Sequence, residues 1–259
     1  AELLTYPVSL EQKDVPVKLL SEDLQRYFTV QSGLVAKDLP APNHTSEYSA
    51  DGDRFELAAG QDTLEVPLTW RDPGGLVVRK VFTLKRGSFS VGMRQEIDNQ
   101  SDLAWKGNQY RQLLRVPLPK PSSFAFNNPE LYAFVGAAVY NPEDKFKKLK
   151  FEKFQDEPYK ASYAGGWSAM MQHYFVGAWV PNPSETTTYE TGILPAAGSL
   201  PTRYLIRQLS PVIEVAPGQL QSLGAQLYLG PKLQNELPKV APGLQYTVDY
   251  GMVSFIAQP

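Results

Sequence analysis

Apolar and polar residues alternate along most of this chain in short runs, and a period of two is the pattern of a β-strand with one buried face. Run 63–70 shows this most clearly, because its apolar positions are Leu64, Val66, Leu68 and Trp70. The residues at 72–75 read Asp-Pro-Gly-Gly and predict a tight turn, after which 77–84 returns as the partner strand. Pro67 cannot donate a ladder hydrogen bond, so the hairpin is predicted to lie at a sheet edge or to contain a bulge.

Similar runs continue along the chain, separated by turns rich in glycine, proline, asparagine and aspartate. The strands predicted beyond the first hairpin are 89–97, 110–118, 133–140, 148–154, 167–180, 186–190, 203–209, 212–215 and 220–229. Segment 36–52 is the longest predicted surface loop. Many short strands, together with 22 prolines and 19 glycines, predict an all-β fold built as an antiparallel two-sheet sandwich.

Helical periodicity is strongest near the C-terminus. Between 231 and 240, Leu233, Leu237 and Val240 follow one another at offsets of four and three, so they share one stripe of a predicted helix. The prolines at 238 and 242 keep this helix short. A single turn at 142–146 is a second candidate, although an irregular loop fits that segment equally well.

These patterns divide the chain into three parts. The predicted parts are the sandwich at 1–230, the helix and connector packed on it at 231–249, and the start of a truncated interfacial or membrane segment at 250–259. The last assignment depends on the apolar run 252–257, which is typical of a helix that lies in a membrane interface.

Composition excludes several classes of function. The formal charge is −2, from 25 basic and 27 acidic residues, and no block of like charge resembles a nucleic-acid-binding tail. The absence of cysteine excludes disulfides, zinc–thiolate sites and thiol nucleophiles. With two histidines, His44 and His173, a His-rich metal site is impossible.

Acid–base chemistry has little support in the sequence. Enzymes of the galactose-mutarotase-like fold use a histidine and a carboxylate that converge in a cleft, and His173 with Glu190 or Glu214 is the pair that this chain offers. No local motif fixes the spacing of such a pair. The lysine-rich run 145–153 could attract anionic lipid or single-stranded nucleic acid, but interleaved acids favour a solvated strand face.

An aromatic segment and the end of the chain carry a family resemblance. Segment 165–181 reads GGWSAMMQHYFVGAWVP, and the later segments 227–232, 247–251 and 255–259 read LYLGPK, TVDYG and FIAQP. Together they resemble the large periplasmic domain of the YidC membrane-protein insertases of Gram-negative bacteria. The resemblance implies a β-supersandwich similar to the galactose-mutarotase-like fold, with a helical segment near the C-terminus, no catalysis and no cofactor.

The resemblance also implies a location and partners. The domain is expected at the periplasmic face of the bacterial inner membrane, as part of a multi-pass protein whose membrane core accepts nascent membrane proteins. Contact with the Sec translocon, including SecF through the region 131–180, is implied in the same way. A carbohydrate-binding or epimerase-like protein is the alternative, and a cleft that holds a peptide or sugar stays open.

Two sets of residues are predicted to have particular roles. The residues expected to couple the domain to a partner are Leu233, Leu237, Val240, Tyr250, Phe146 and Phe151. The residues expected to anchor the core are Trp167, Tyr174, Phe175 and Trp179.

Overall fold

The computed structural model describes residues 2–7, 14–117 and 134–248. Sixteen strands lie within these residues: β1 Glu2–Pro7, β2 Pro16–Lys18, β3 Phe28–Ala36, β4 Thr63–Arg71, β5 Leu76–Lys85, β6 Ser90–Asn99, β7 Trp105–Arg115, β8 Gly136–Asn141, β9 Lys145–Leu149, β10 Lys160–Tyr163, β11 Trp167–Met171, β12 Phe175–Pro181, β13 Thr187–Leu194, β14 Arg203–Leu209, β15 Ile213–Val215 and β16 Gln219–Pro231. Helical structure in the same residues is limited to α1 Leu237–Val240 and to short 3-10 turns at Phe151–Lys153 and Leu244–Thr247.

Two antiparallel sheets form the body of the fold. The large sheet has eight strands in the order β4-β5-β6-β16-β12-β11-β8-β9. The small sheet has six strands and is centred on β7, which pairs with β3 along one side and with β14 and β15 along the other, while β13 and β10 continue beyond β14. A separate ladder joins β1 to β2. The predicted all-β, two-sheet antiparallel fold is confirmed.

The first hairpin agrees with its sequence pattern. Strand β4 pairs with β5 throughout its length and stands at the edge of the large sheet, so Pro67 occupies an edge strand as expected. Segment 142–146 contains no helix, because it forms the turn between β8 and β9 and the start of β9.

Three predicted elements are corrected by the structure. Run 148–154 is not one strand, since β9 ends at Leu149 and a 3-10 turn follows. Run 167–180 is two strands, because the Gln172 N–H donates to the Phe175 carbonyl over 2.9 Å and reverses the chain. The helix predicted at 231–240 is four residues long, because Pro231 still pairs with Phe175 as the last residue of β16.

The core has two main layers on opposite faces of the large sheet. The first lies between the sheets and joins Met170 and Trp179 of the large sheet to Phe28, Leu113 and Ile206 of the small one. The second lies on the outer face of the large sheet, where the following residues are buried: Ala138, Tyr140, Trp167, Ala169, Met171, Val176, Ala178 and Tyr228. Strands β8, β11 and β12 are therefore buried on both faces, which in β8 and β11 buries every residue.

Candidate functional site: the C-terminal cap of the large sheet

The segment 237–248 covers the outer face of the large sheet and is called here the C-terminal cap. Leu237, Ala241 and Leu244 are buried in it, and Val240 and Val248 pack against the same cluster. A four-residue helix is too short to be stable by itself in water. The cap therefore owes its structure to the sheet on which it packs.

Trp167 of β11 is the centre of this contact. Its side chain is 0% exposed, and its indole Nε1–H donates to the Pro242 carbonyl over 2.9 Å. The Tyr140 ring stacks on the indole, with centroids 5.8 Å apart and 9° between the ring planes. A buried indole N–H needs an acceptor, so this bond fixes the turn of the cap relative to β11.

Gly243 allows the cap to approach this closely. Its φ is +78°, and a Cβ built there would lie 2.2 Å from Tyr140 Cε2. Glycine is the residue that adopts this conformation at no steric cost. The 3-10 turn follows directly, and within it the Thr247 hydroxyl donates to the Leu244 carbonyl over 2.7 Å.

The residues predicted to couple the domain to a partner divide into two groups. Leu237 is fully buried in the cap and Val240 packs against it. Phe146 of β9 also belongs here, with its ring 6.0 Å from Trp167 and 6.2 Å from Tyr246.

The other predicted coupling residues do not join the cap. Leu233 is 37% exposed, because the chain has not yet entered the helix there and lies in the stretch after β16. Phe151 is buried between the sheets, with its ring stacked 4.8 Å from Tyr204, because the 3-10 turn directs it inwards. Tyr250 lies outside the described residues.

The predicted core anchors also differ from one another. Trp167 and Trp179 are 0% and 1% exposed, and Phe175 packs against the inter-sheet cluster beside Tyr6. The expectation for Tyr174 is wrong, because this residue is 57% exposed. It occupies a corner of the tight turn between β11 and β12, where the side chain points away from both core layers.

The acid–base pair considered from the sequence is not supported by the partners of its carboxylates. Glu190 is bound by Arg207 and lies 3.6 Å from Lys160. Glu214 pairs with Lys106 at 3.1 Å. The other histidine, His44, shares a 2.7 Å hydrogen bond through Nδ1 with the Tyr110 hydroxyl. These contacts assign both carboxylates to ion pairs on the small sheet.

The described residues contain neither a cluster suited to a metal ion nor a helix able to cross a bilayer. Across 2–7, 14–117 and 134–248, no group of three or more His, Cys, Asp or Glu side chains is arranged to hold a metal ion. Over the same ranges, the helices lack the length and apolar content needed to cross a bilayer.

Sequence reasoning missed Tyr140, Tyr228 and Gly243 as cap residues. The Pro242-Gly243 pair was a readable signal, since such a pair marks a turn. Tyr140 and Tyr228 carried no signal of their own, because both look like ordinary alternating strand residues. Tyr228 donates its hydroxyl hydrogen to the Pro231 carbonyl over 2.6 Å and so fixes the chain where it leaves β16.

Comparisons with known proteins find relatives that match the whole chain. A family model described as the YidC periplasmic domain matches residues 1–259. A protein of Methylococcus capsulatus named membrane protein insertase YidC is 39% identical over 258 residues, covering 100% of this chain and 46% of that protein. A protein of the same name from Thioalkalivibrio sulfidiphilus is 38% identical over 268 residues, with 100% and 46% covered. The chain thus spans about half the length of the curated relatives that it matches.

Solved structures of other families are less similar to this chain. A galactose mutarotase related enzyme from Lactobacillus acidophilus has a TM-score of 0.43 at 8% identity, with 72% of each chain covered. An alpha-galactosidase from Geobacillus stearothermophilus has a TM-score of 0.49 at 7% identity, covering 91% of this chain and 32% of that one.

Proposed function

This chain belongs to the YidC periplasmic domain family, and from that premise we propose that it is a non-catalytic domain that orients the rest of an insertase. The whole protein would support insertion and folding of inner-membrane proteins, alone or with the Sec translocon. The domain would lie at the periplasmic face of the inner membrane. Its own task would be mechanical, because it would hold the segment that follows the sandwich in one direction.

The observation that carries this proposal is the docking of the C-terminal cap. Two fully buried leucines, Leu237 and Leu244, contribute about 1.5–3 kcal/mol each when they leave water. The Trp167–Pro242 hydrogen bond adds a directional constraint. A segment held by burial and by a fixed hydrogen bond cannot rotate freely against the sheet. The direction in which the chain leaves Val248 is then a property of the folded domain.

The experiment is a double substitution in the full-length protein. Leu237→Ser with Leu244→Ser removes both buried anchors, and Leu103→Ser with Leu220→Ser is the matched control, because those two leucines are 63% and 60% exposed. Complementation of a strain depleted of the insertase should be impaired by the first pair and normal with the second. Circular dichroism of the two isolated domains should show the same β-rich spectrum.

Normal growth with both anchors removed would contradict the proposal, because the cap would then be an ordinary cover for an apolar face. Loss of the β-rich spectrum in the isolated variant would identify a folding defect. In that case a milder pair, Leu237→Ala with Leu244→Ala, is measured at the growth temperature.

Contact with SecF is proposed for the region 131–180, of which 134–180 is described. What supports it is strand β9, which pairs only with β8 in the described part of the chain and so leaves one backbone edge unpaired. Lysines at 145, 147 and 148 line this edge strand, and charged residues are what allow a free edge to remain exposed without aggregation. A photo-crosslinking residue at Lys147 should capture SecF, whereas one at Lys85, near the opposite edge, should not.

A further inference from the structure

The loop predicted at 36–52 lies between β3 and β4 in the chain. Its residues 42–49, called here the strap, are tied at both ends. The Leu34 N–H of β3 donates to the Pro42 carbonyl over 2.9 Å. At the other end, Ser49 and Thr69 of β4 exchange two backbone bonds of 2.8 Å each. Because β3 belongs to the small sheet and β4 to the large one, the strap closes the gap between the two sheets.

A buried lysine lies beneath the strap. Lys80 of β5 is 6% exposed, and its Nζ donates to the Ser32 carbonyl over 3.0 Å. The Tyr48 ring of the strap covers the ammonium, with Nζ 4.9 Å from the ring centroid. No carboxylate among the described residues forms an ion pair with Lys80. Buried charges in folded proteins are normally paired, so this ammonium lacks the partner that such sites contain.

Further hydrogen-bonding groups lie beside the lysine, because Gln95 of β6 is its cross-strand partner. Gln95 is fully buried, and its Nε2 has no partner, whereas its Oε1 accepts from Gln109 Nε2 over 2.7 Å. The Tyr48 hydroxyl lies beside this amide and makes no hydrogen bond of good geometry. Burial raises the pKa of Tyr48 to about 12, which keeps the hydroxyl protonated. The pKa of His44 on the strap is lowered by burial and by the positive charge of Lys80.

The cluster also has one unpaired acceptor. Gln109 is fully buried and its Oε1 has no partner. A hydrogen phosphate ion carries anionic oxygens for Lys80, Gln95 and Tyr48 together with a hydroxyl for Gln109. A carboxylate carries acceptor oxygens alone. Nearly all buried polar groups in native proteins find hydrogen-bond partners. A hydrogen phosphate ion offers a partner to each unpaired group of this cluster, whereas a carboxylate offers none to the Gln109 Oε1.

We propose that Lys80, Gln95, Gln109 and Tyr48 form a binding site for a small oxyanion of the phosphate class, closed by the strap. The ion enters when the strap lifts from β4, and it balances the charge of the buried ammonium. This site lies towards the opposite edge of the large sheet from β9 and uses no residue of the C-terminal cap. The proposal is therefore tested independently of the proposed orienting function.

Phosphate binding to the isolated chain tests the proposal. Inorganic phosphate is titrated at constant ionic strength, with chloride as the balancing ion, and is followed by calorimetry and by thermal unfolding. A saturable heat and a matching rise in melting temperature are expected. Acetate is the second arm: tighter binding of phosphate supports the assigned class, and tighter binding of acetate overturns it in favour of a carboxylate site.

Three variants locate the site. Lys80→Met keeps the length of the side chain and should weaken phosphate binding by about tenfold or more, the usual effect of losing a charged hydrogen-bond partner. Tyr48→Phe keeps the ring over Lys80 and removes only the hydroxyl, so a loss of roughly fivefold is expected. Lys106→Met, at an exposed lysine paired with Glu214, should bind as the wild type does.

Two results would overturn the proposed phosphate site. Absence of saturable binding in the wild type, or equal affinity in the wild type and Lys80→Met, overturns the proposal. If Lys80→Met does not fold, Tyr48→Phe decides, because that substitution leaves the buried charge and its ring contact in place. Unchanged affinity in Tyr48→Phe then counts against the site.

Discussion

Gly243→Ala is the substitution that tests most directly how the C-terminal cap is held. At φ +78° any residue with a Cβ is strained, at a cost of about 1–2 kcal/mol. The new methyl would also stand 2.2–2.8 Å from three atoms of the Tyr140 ring. That ring cannot move away, because it is buried and stacked on the fully buried Trp167. Overpacking of this kind costs about 1–3 kcal/mol, so a total of roughly 2–5 kcal/mol is expected.

The form of the loss is as informative as its size. If undocking the cap costs less free energy than the strain caused by Gly243→Ala, the variant domain releases the cap. Hydrogen exchange at 237–248 would then increase strongly while the strands stay protected. Denaturant unfolding measured on the same sample gives the global loss of stability.

Gly218→Ala is a matched control for this measurement. Gly218 has a φ of +70°, and nothing lies within 4 Å of the position that a Cβ would take. It therefore carries the backbone strain without the clash and should cost about 1–2 kcal/mol with no change in exchange at the cap. Equal losses in the two variants would refute the reasoning, since the contact with Tyr140 would then contribute nothing.

Two further predictions concern the core. Trp167→Ala and Trp179→Ala should each lower the free energy of unfolding by about 3–5 kcal/mol in denaturant melts. Only Trp167→Ala should speed hydrogen exchange in the cap, because Trp179 faces the small sheet. Equal acceleration by both substitutions would contradict the two-layer core. Burial lowers the pKa of Lys80 from 10.5 to about 8, so the unfolded chain holds this proton more tightly than the folded chain does. In phosphate-free buffer the unfolding free energy of the wild type, relative to that of Lys80→Met, should therefore increase by roughly 2 kcal/mol between pH 7.5 and 9.5. A difference between the two proteins that does not change with pH would show that Lys80 is not desolvated.

Strands β1, β2, β3 and β10 have no counterpart among the predicted runs. Local pattern was sufficient for most of the other strands, since alternation is a property of neighbouring residues. It could not predict which face of the large sheet a residue occupies. Trp167 and Trp179 look alike in the sequence, yet Ser168 is the residue that pairs with Trp179. Cross-strand partners point to the same side of a sheet, so Trp179 shares a face with Ser168, and Trp167 points the other way.

The errors for Leu233, Tyr174 and Lys80 share one cause, because their surroundings are not determined by neighbouring residues in the sequence. The spacing of Leu233, Leu237 and Val240 fits a helix, but pairing with β12 holds the chain extended as far as Pro231. The turn that exposes Tyr174 contains no glycine or proline to mark it. Lys80 could not be recognised as buried, because its surroundings come from β3, β6 and the strap, which are distant in sequence.

The order in which the chain is synthesised gives the cap a further consequence. All strands of the large sheet have been synthesised once β16 has been made. The acceptor of the Trp167 indole, Pro242, lies 75 residues after Trp167 and is made only after β16. Until the cap is in place, one apolar face of the sheet is uncovered, and an uncovered apolar face of this kind promotes aggregation. A chain that ends after Pro231 has the complete sheet but lacks the cap, so truncation there should increase aggregation of the domain.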